Sequence, residues 1–373
     1  MTAGILKEPQ GENRVSLLPE QAATLVKKGI TLLVEHGAGD NSFANAATYS
    51  AQGVKVASRE EVLKQSDILF SIQPLTDSDE SLLKDNVVLV GVFQPLFQFQ
   101  TIKKWSIKGL TTFSLDMLPR TTRAQAMDVL SSQANIAGYK AVLTAATLFP
   151  RYFPMFMTAA GSIPPAKVLI LGAGVAGLQA IATAKRLGAV IEVFDTRPAV
   201  KEEVMSLGAK FVEVEGAADA SKAGGYAVEQ SEEYKQKQQQ KLAEAAAKAD
   251  IVITTAQIPG KKAPILLTEA MIDNMKAGSI IIDLASATGG NTPFTKNNET
   301  IVRHGVTILG NSNLPSTMPF DASKLYGKNV LNFLQLILTK DGTLNLNFED
   351  DLVKGSCITH GGSIVNDRVQ ALL

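Results

Sequence analysis

Residues 167–177, Lys-Val-Leu-Ile-Leu-Gly-Ala-Gly-Val-Ala-Gly, constrain this chain more than any other stretch. A short apolar run enters Gly172-x-Gly174-x-x-Gly177 and passes directly into Leu178-Gln179-Ala180-Ile181-Ala182-Thr183-Ala184, a good helix former. Strand, tight turn and helix start together hold a dinucleotide pyrophosphate. The first glycine permits the turn, the second lets backbone approach the phosphates, and the third lets helix pack on strand. Gly172, Gly174, Val175, Ala176 and Gly177 are therefore the expected phosphate cradle, with the N–H groups and partial positive charge of the helix start facing the anion.

The glycine pattern alone is a weak signal, because glycine turns between strand and helix are common. Its context is stronger. Residues 189–194, Ala-Val-Ile-Glu-Val-Phe, read as a second strand that ends in Asp195. That acid lies roughly 20 residues past the glycines, where a carboxylate accepts from a ribose 2′-hydroxyl. Arg197 would suit a 2′-phosphate, but Asp195 would repel one, so NAD is expected in preference to NADP.

A length of 373 residues allows two or more domains. Zero net charge and the lack of a long basic block make nucleic acid an unexpected partner. The N-terminal residues Met1–Lys7 lack the basic flank and apolar core of a signal peptide. Apolar runs are cut by Pro164-Pro165 or by Asn332 and Gln335 before reaching the roughly 18 residues of a membrane span. A soluble, cytoplasmic chain is the expectation. Cys357, the one cysteine, excludes an internal disulfide, and the three histidines are scattered, so no metal site is expected.

Strand and helix patterns alternate along most of the chain. Strands are expected at 30–35, 67–72, 87–92 and 110–113, with helices at 19–28, 43–53, 59–65 and 101–108. From Lys167 onward, strands are expected at 167–171, 190–194, 210–214, 250–254, 279–284 and 306–310. The fold class is α/β: two Rossmann-like doubly wound parallel-sheet domains, joined by long helices near 131–148 and 322–339, with NAD in the cleft between them. Residues 1–130 plus 315–373 are expected to form one domain, discontinuous in sequence, and residues 131–314 the NAD(H)-binding domain. A Gly-rich insertion near 215–231, followed by a Glu/Lys/Gln-rich helix at 232–248, reads equally as a lid over bound nucleotide or as a loose loop beside a solvated helix.

A dehydrogenase acting on an alcohol or amine moves a proton as well as a hydride, so its cleft needs a His, Lys or similar group. The strand ends of the N-terminal domain instead read Ser71-Ile72-Gln73-Pro74 and Phe93-Gln94-Pro95, and glutamine exchanges no proton near neutral pH. Neither edge shows an acid or base. Hydride passed between two nicotinamides requires only orientation and closeness. Arg120, Gln125 and Asp128 lie in a polar stretch, 114–128, that interrupts the strand-helix rhythm. Arg or Gln can donate to a carboxamide carbonyl while Asp accepts from its NH2, so the three could fix a nicotinamide ring. An Arg–Asp ion pair stapling the loop is the competing reading.

Several of these stretches carry a resemblance. They are the run 119–132 (Pro-Arg-Thr-Thr-Arg-Ala-Gln-Ala-Met-Asp-Val-Leu-Ser-Ser), Asn135-Ile136-Ala137-Gly138-Tyr139, Pro164-Pro165-Ala166-Lys167 and the glycine fingerprint. To these add Phe194-Asp195-Thr196-Arg197-Pro198, Gly224-Gly225-Tyr226-Ala227, the run 254–260 (Thr-Thr-Ala-Gln-Ile-Pro-Gly) and Gly289-Gly290-Asn291. On them, over nearly its full length, the chain resembles the NAD(H)-binding component (domain I, alpha subunit) of proton-translocating NAD(P) transhydrogenase. The resemblance implies that Arg120, Gln125 and Asp128 contact the nicotinamide, with Ser131 and Tyr226 beside them. It implies further that Gly224–Tyr226 belong to a mobile loop, and that Thr196, Arg197, Gly225, Gln238 and Gln257 line the nucleotide site. It also implies a homodimer docked on an NADP(H)-binding beta subunit, held at the inner face of the plasma membrane by a membrane domain, with NAD(H) as substrate. Lacking membrane helices, the chain is expected to be the first polypeptide of a split alpha subunit or an isolated domain I.

Alanine dehydrogenase, of the same superfamily, is similar in Lys7-Glu8, in Glu12-Asn13-Arg14-Val15 and in the fingerprint. That enzyme places a Lys and a His where this chain has Gln73 and Gln94, which argues against amino-acid oxidation. A non-catalytic NAD-sensing module is the third reading.

Overall fold

A computed structural model of the chain describes residues 1–214 and 231–372. The residues form two compact units, one from Met1–Gln133 with the chain from Pro315 onward, the other from Ala134–Leu314.

The first unit is built on an eight-stranded sheet. Its order is Ser363–Ile364, Cys357–His360, Thr111–Ser114, Val88–Gly91, Ile68–Phe70, Thr2–Ile5, Thr31–Glu35, Lys55–Ala57. Every pairing is parallel except the two made by Cys357–His360. Short strands such as Ile68–Phe70 and Val88–Gly91 are buried at every residue, because helices cover both faces. One apolar core, including Tyr326, Val330 and Phe333 of the helix Pro319–Ile337, lies on one face of the sheet. A second core, centred on Trp105, Ile102 and Val62, lies on the other.

Two of these strands, Thr2–Ile5 and Lys55–Ala57, were not expected from the sequence. Thr-Ala-Gly-Ile, with Ala and Gly at its centre, and the three-residue Lys-Val-Ala are too short to show a strand pattern. The helix expected at 43–53 spans only Ala46–Ser50. Phe43 ends a 3₁₀ turn in the left-handed region (φ 59°), and Asn45 then caps the helix by accepting from the Thr48 amide at 3.1 Å.

The second unit holds a seven-stranded sheet ordered Lys210–Phe211, Val190–Phe194, Lys167–Leu171, Ile251–Thr254, Ile280–Asp283, Val306–Gly310, Glu299–Arg303. The first six are parallel, and strand order reverses between Lys167–Leu171 and Ile251–Thr254. In open α/β sheets that switch point, at the strand C-termini, is where ligands bind. The strand expected at 210–214 stops at Phe211. The additional edge strand, Glu299–Arg303, is antiparallel to Val306–Gly310 through a two-residue turn whose His304 and Gly305 both have positive φ. Its mostly exposed, polar residues hide the strand pattern, as suits a protected edge.

The helix Val129–Leu148 runs through the boundary at Gln133, whereas Pro319–Ile337 belongs wholly to the first unit. The chain therefore returns through the 3₁₀ turn Leu314–Thr317 and not through the second long helix.

Candidate nucleotide site

Gly172 sits at φ 106°, where an L side chain would be strained, and its amide donates to the Phe194 carbonyl at 2.8 Å. A Cβ on Gly177 would lie 1.9 Å from the Gly172 carbonyl oxygen, so helix and strand meet only because that side chain is absent. Gly174, by contrast, has open space where its Cβ would be. It is the N-cap of Val175–Arg186 and makes no side-chain cap, which leaves the first-turn amides of that helix for an anion. These features fit a pyrophosphate. Gly138 of the Val129–Leu148 helix lies against the same turn: a Cβ there would fall 2.0 Å from the Ala176 oxygen.

The strand Val190–Phe194 delivers Asp195 to this turn. Its Oδ2 accepts from the Ala173 amide at 2.7 Å and from Arg197 Nη2 at 2.6 Å, and its Oδ1 accepts from Arg197 Nε at 2.9 Å and the Arg197 amide at 2.8 Å. The carboxylate beside it holds the Arg197 guanidinium above its already high pKa. Thr196 is half-buried between the two. From the next strand, Thr255 Oγ1 donates to the Gly172 carbonyl at 3.1 Å, and the exposed Gln257 donates from Nε2 to the Leu284 carbonyl at 2.9 Å. The fully buried Asn291 fixes that loop, accepting from the Ala256 amide at 3.1 Å and donating to the Ala256 and Pro264 carbonyls at 2.9 and 2.8 Å.

Glycine fingerprint, Asp195, Arg197 and Thr255 are thus brought together. Gln238 is half-buried on the helix Glu232–Lys248. Gly225, Tyr226 and the lid reading fall outside the described residues. Sequence reasoning missed Thr255, Asn291 and Tyr234 as contributors. Tyr234 is 3% exposed, and its hydroxyl pKa is raised first by burial and then by the charge of Asp195. Its only sequence signal was one aromatic in a run of Glu, Lys and Gln.

Arg120, Gln125, Asp128 and Ser131 lie in the first unit. Their loop contains the 3₁₀ turns Leu115–Met117 and Thr122–Met127 and is anchored from behind by buried Ala124 and Met127. The Ala126 carbonyl accepts from Asn329 and Asn332 at 2.8 and 2.9 Å. Arg123 pairs with Asp350 and with Asp351, so the ion-pair staple is made by Arg123. Arg120 and Gln125 remain exposed. Asp128 accepts from the Ser131 amide at 2.9 Å and hydroxyl at 2.5 Å, capping the helix that starts at Val129.

The strands stop at Phe70 and Gly91, so Gln73 and Gln94 lie three residues beyond them, in loops that are each bonded by a carboxyl group. Glu8 accepts from the Ile72 and Gln73 amides at 2.6 and 3.0 Å, and burial pushes its pKa up to about 8. Asp116, raised by burial and bonded to Ser114, accepts from the amide of Gln94, which has φ 48°. Both carboxyls hold backbone turns.

The family model for the alanine dehydrogenase/PNT N-terminal domain matches residues 4–137, and that for the C-terminal domain matches residues 141–367. The chain belongs to the alanine dehydrogenase/PNT family. Within it, the chain is 46% identical to the first polypeptide of the NAD(P) transhydrogenase alpha subunit of Rhodospirillum rubrum, over 98% of each chain. Its fold matches the crystal structure of transhydrogenase from Sinorhizobium meliloti with TM-score 0.89 and 42% identity, covering 98% of this chain and 100% of that one. An alanine dehydrogenase of Staphylococcus haemolyticus is more distant, at 25% identity over 91% of this chain and 88% of its own.

Proposed function

We propose that this alanine dehydrogenase/PNT family member is the NAD(H)-binding alpha component of a proton-translocating NAD(P) transhydrogenase. The second unit holds the nucleotide: Gly172, Gly174, Val175, Ala176 and Gly177 at the pyrophosphate, Asp195 and Thr196 at the adenosine ribose, with Gln238, Gln257 and Gly225 around it. Arg120, Gln125 and Asp128, with Ser131 and Tyr226, set the rotation of the nicotinamide. A hydride leaves C4 of the dihydronicotinamide and adds to C4 of an NADP⁺ held by a beta subunit. Two electrons and one hydrogen move together, so the transfer itself requires no proton from a side chain.

The observation that carries this reading is the pair Gln73 and Gln94, in the loops beyond the strands, where amino-acid oxidation needs proton-transfer groups. Glu8 and Asp116, which bond those loops, are engaged by backbone amides. No helix among the described residues is long and apolar enough to cross a membrane. In this reading, membrane association runs through the partner subunits. A second copy of this chain is the other partner. The hairpin of Phe156–Thr158 and Gly161–Ile163 carries Met157 at 76% exposure, beside exposed Tyr152 and Met155, an apolar surface suited to a like surface.

The test mixes the chain with an NADP(H)-binding beta component and follows reduction of an NAD analogue by NADPH. Transfer is expected only in the mixture. Gln125→Asn should lower the transfer rate far more than NADH affinity, and an equal fall in both would exclude the positioning role. Ammonia-dependent reduction of pyruvate by the chain alone would establish alanine dehydrogenase instead, and binding without any transfer would leave an NAD sensor.

A further inference from the structure

Arg197 and Asp195 are joined side-on. Nε meets one carboxylate oxygen at 2.9 Å and Nη2 the other at 2.6 Å, while the Arg197 amide meets the first at 2.8 Å. The side chains are only 20% and 5% exposed, so the pair is shielded from the screening that makes surface ion pairs weak. Pro198, first residue of the 3₁₀ turn Pro198–Val200, follows directly and fixes the backbone leaving Arg197. The same carboxylate is pinned from the other side by the Ala173 amide at 2.7 Å, inside the fingerprint turn. Asp195 is therefore fixed at the ribose end of the site, and it dictates where the guanidinium lies.

An arginine near this position is the group that accommodates a 2′-phosphate in NADP-binding relatives of the fold, whereas a carboxylate accepts from a 2′-hydroxyl. Here both are present, and one holds the other. We propose that Asp195 excludes NADP(H) twice, by repelling the 2′-phosphate with its own charge and by committing the Nε and Nη2 edge of Arg197 to its own carboxylate, so that this edge is not offered to the phosphate. Arg197 is thus a latent phosphate receptor and a specificity-determining residue. The inference rests on the NAD(H) reading of the site. It matters to that reading because a transhydrogenase meets both nucleotides, and a site that accepted either would exchange hydride between like pairs.

The experiment is a double-mutant cycle read by isothermal titration with NADH and NADPH. Asp195→Asn keeps an oxygen for the Ala173 amide but lacks the charge that holds Arg197. NADPH affinity should then rise by about tenfold or more, the scale of one charge-assisted hydrogen bond. Asp195→Asn with Arg197→Ala should lose most of that rise, and Arg197→Ala alone should leave NADPH excluded. Should Asp195→Asn not fold, Asp195→Ser also keeps an oxygen for Ala173 and carries the same cycle. If the double variant binds NADPH as tightly as the single Asp195 variant, Arg197 is not recruited and the inference is overturned, with the transhydrogenase reading intact. A wild-type chain that binds neither nucleotide overturns both.

Discussion

Glu8 is 7% exposed and sits in a polar interior with Glu12, Arg14 and Tyr326. Arg14 is joined to Glu12 at 2.6 and 2.8 Å and donates to Gln133 at 2.8 Å. Burial is the main reason that Glu8 keeps its proton to about pH 8, against 4.5 for the ordinary group. The folded chain thus holds a proton that the unfolded chain has already released across that range. The stability this contributes is complete below pH 4.5, declines as pH rises, and is gone above the folded value of about 8. The slope can reach ~1.4 kcal/mol per pH unit. Glu8→Gln keeps an acceptor for one backbone amide and removes the titration, so urea unfolding should show a flatter pH profile for the variant. Parallel profiles would assign the slope to another group. At this scale the sequence named chemistry better than it named surroundings. Glu8 could be read as one half of a Lys-Glu pair, but the amides it accepts from are over sixty residues away, and nothing local announces them.

Among elements, the Val129–Leu148 helix shows how one residue can serve two roles. Asp128 caps it through Ser131 and is also proposed to face the nicotinamide carboxamide. Asp128→Ala should cost about 1 kcal/mol of unfolding free energy, the usual worth of an N-cap. Asp128→Ser retains a capping oxygen and should stay within a few tenths of wild type, yet it lacks the carboxylate that would accept from the NH2. Denaturation curves should therefore separate the two variants while hydride-transfer rates fall for both; a Ser variant with full transfer would confine Asp128 to capping. Elements whose signal is local apolar content were legible: Lys167–Leu171, Val190–Phe194 and Val306–Gly310 have the expected bounds. Those defined by long-range pairing were not. Thr2–Ile5 is a strand because Thr31–Glu35 and Ile68–Phe70 flank it, and Glu299–Arg303 because a left-handed two-residue turn folds it back. Thr255 and Asn291 escaped for the same reason, since each acts through backbone distant in sequence.

For the whole molecule, the apolar hairpin bears on assembly. Met157→Glu places a charge on the most exposed of its apolar side chains and should shift the proposed dimer toward monomer in concentration-dependent light scattering, with little change in the melting of the chain itself. An unchanged mass would move the interface elsewhere. The discontinuity of the first unit has a different consequence, one of timing. Among the described residues, the antiparallel neighbour of Thr111–Ser114 is Cys357–His360, where Thr359 Oγ1 reaches the Leu110 carbonyl across 249 residues of sequence. During synthesis the second unit is complete while that strand still presents an open edge, the kind of edge that pairs with whatever strand arrives first. The chain is therefore exposed to misassembly for as long as a ribosome needs to add the intervening residues, and its slowest folding event should be the closing of a sheet that began forming first.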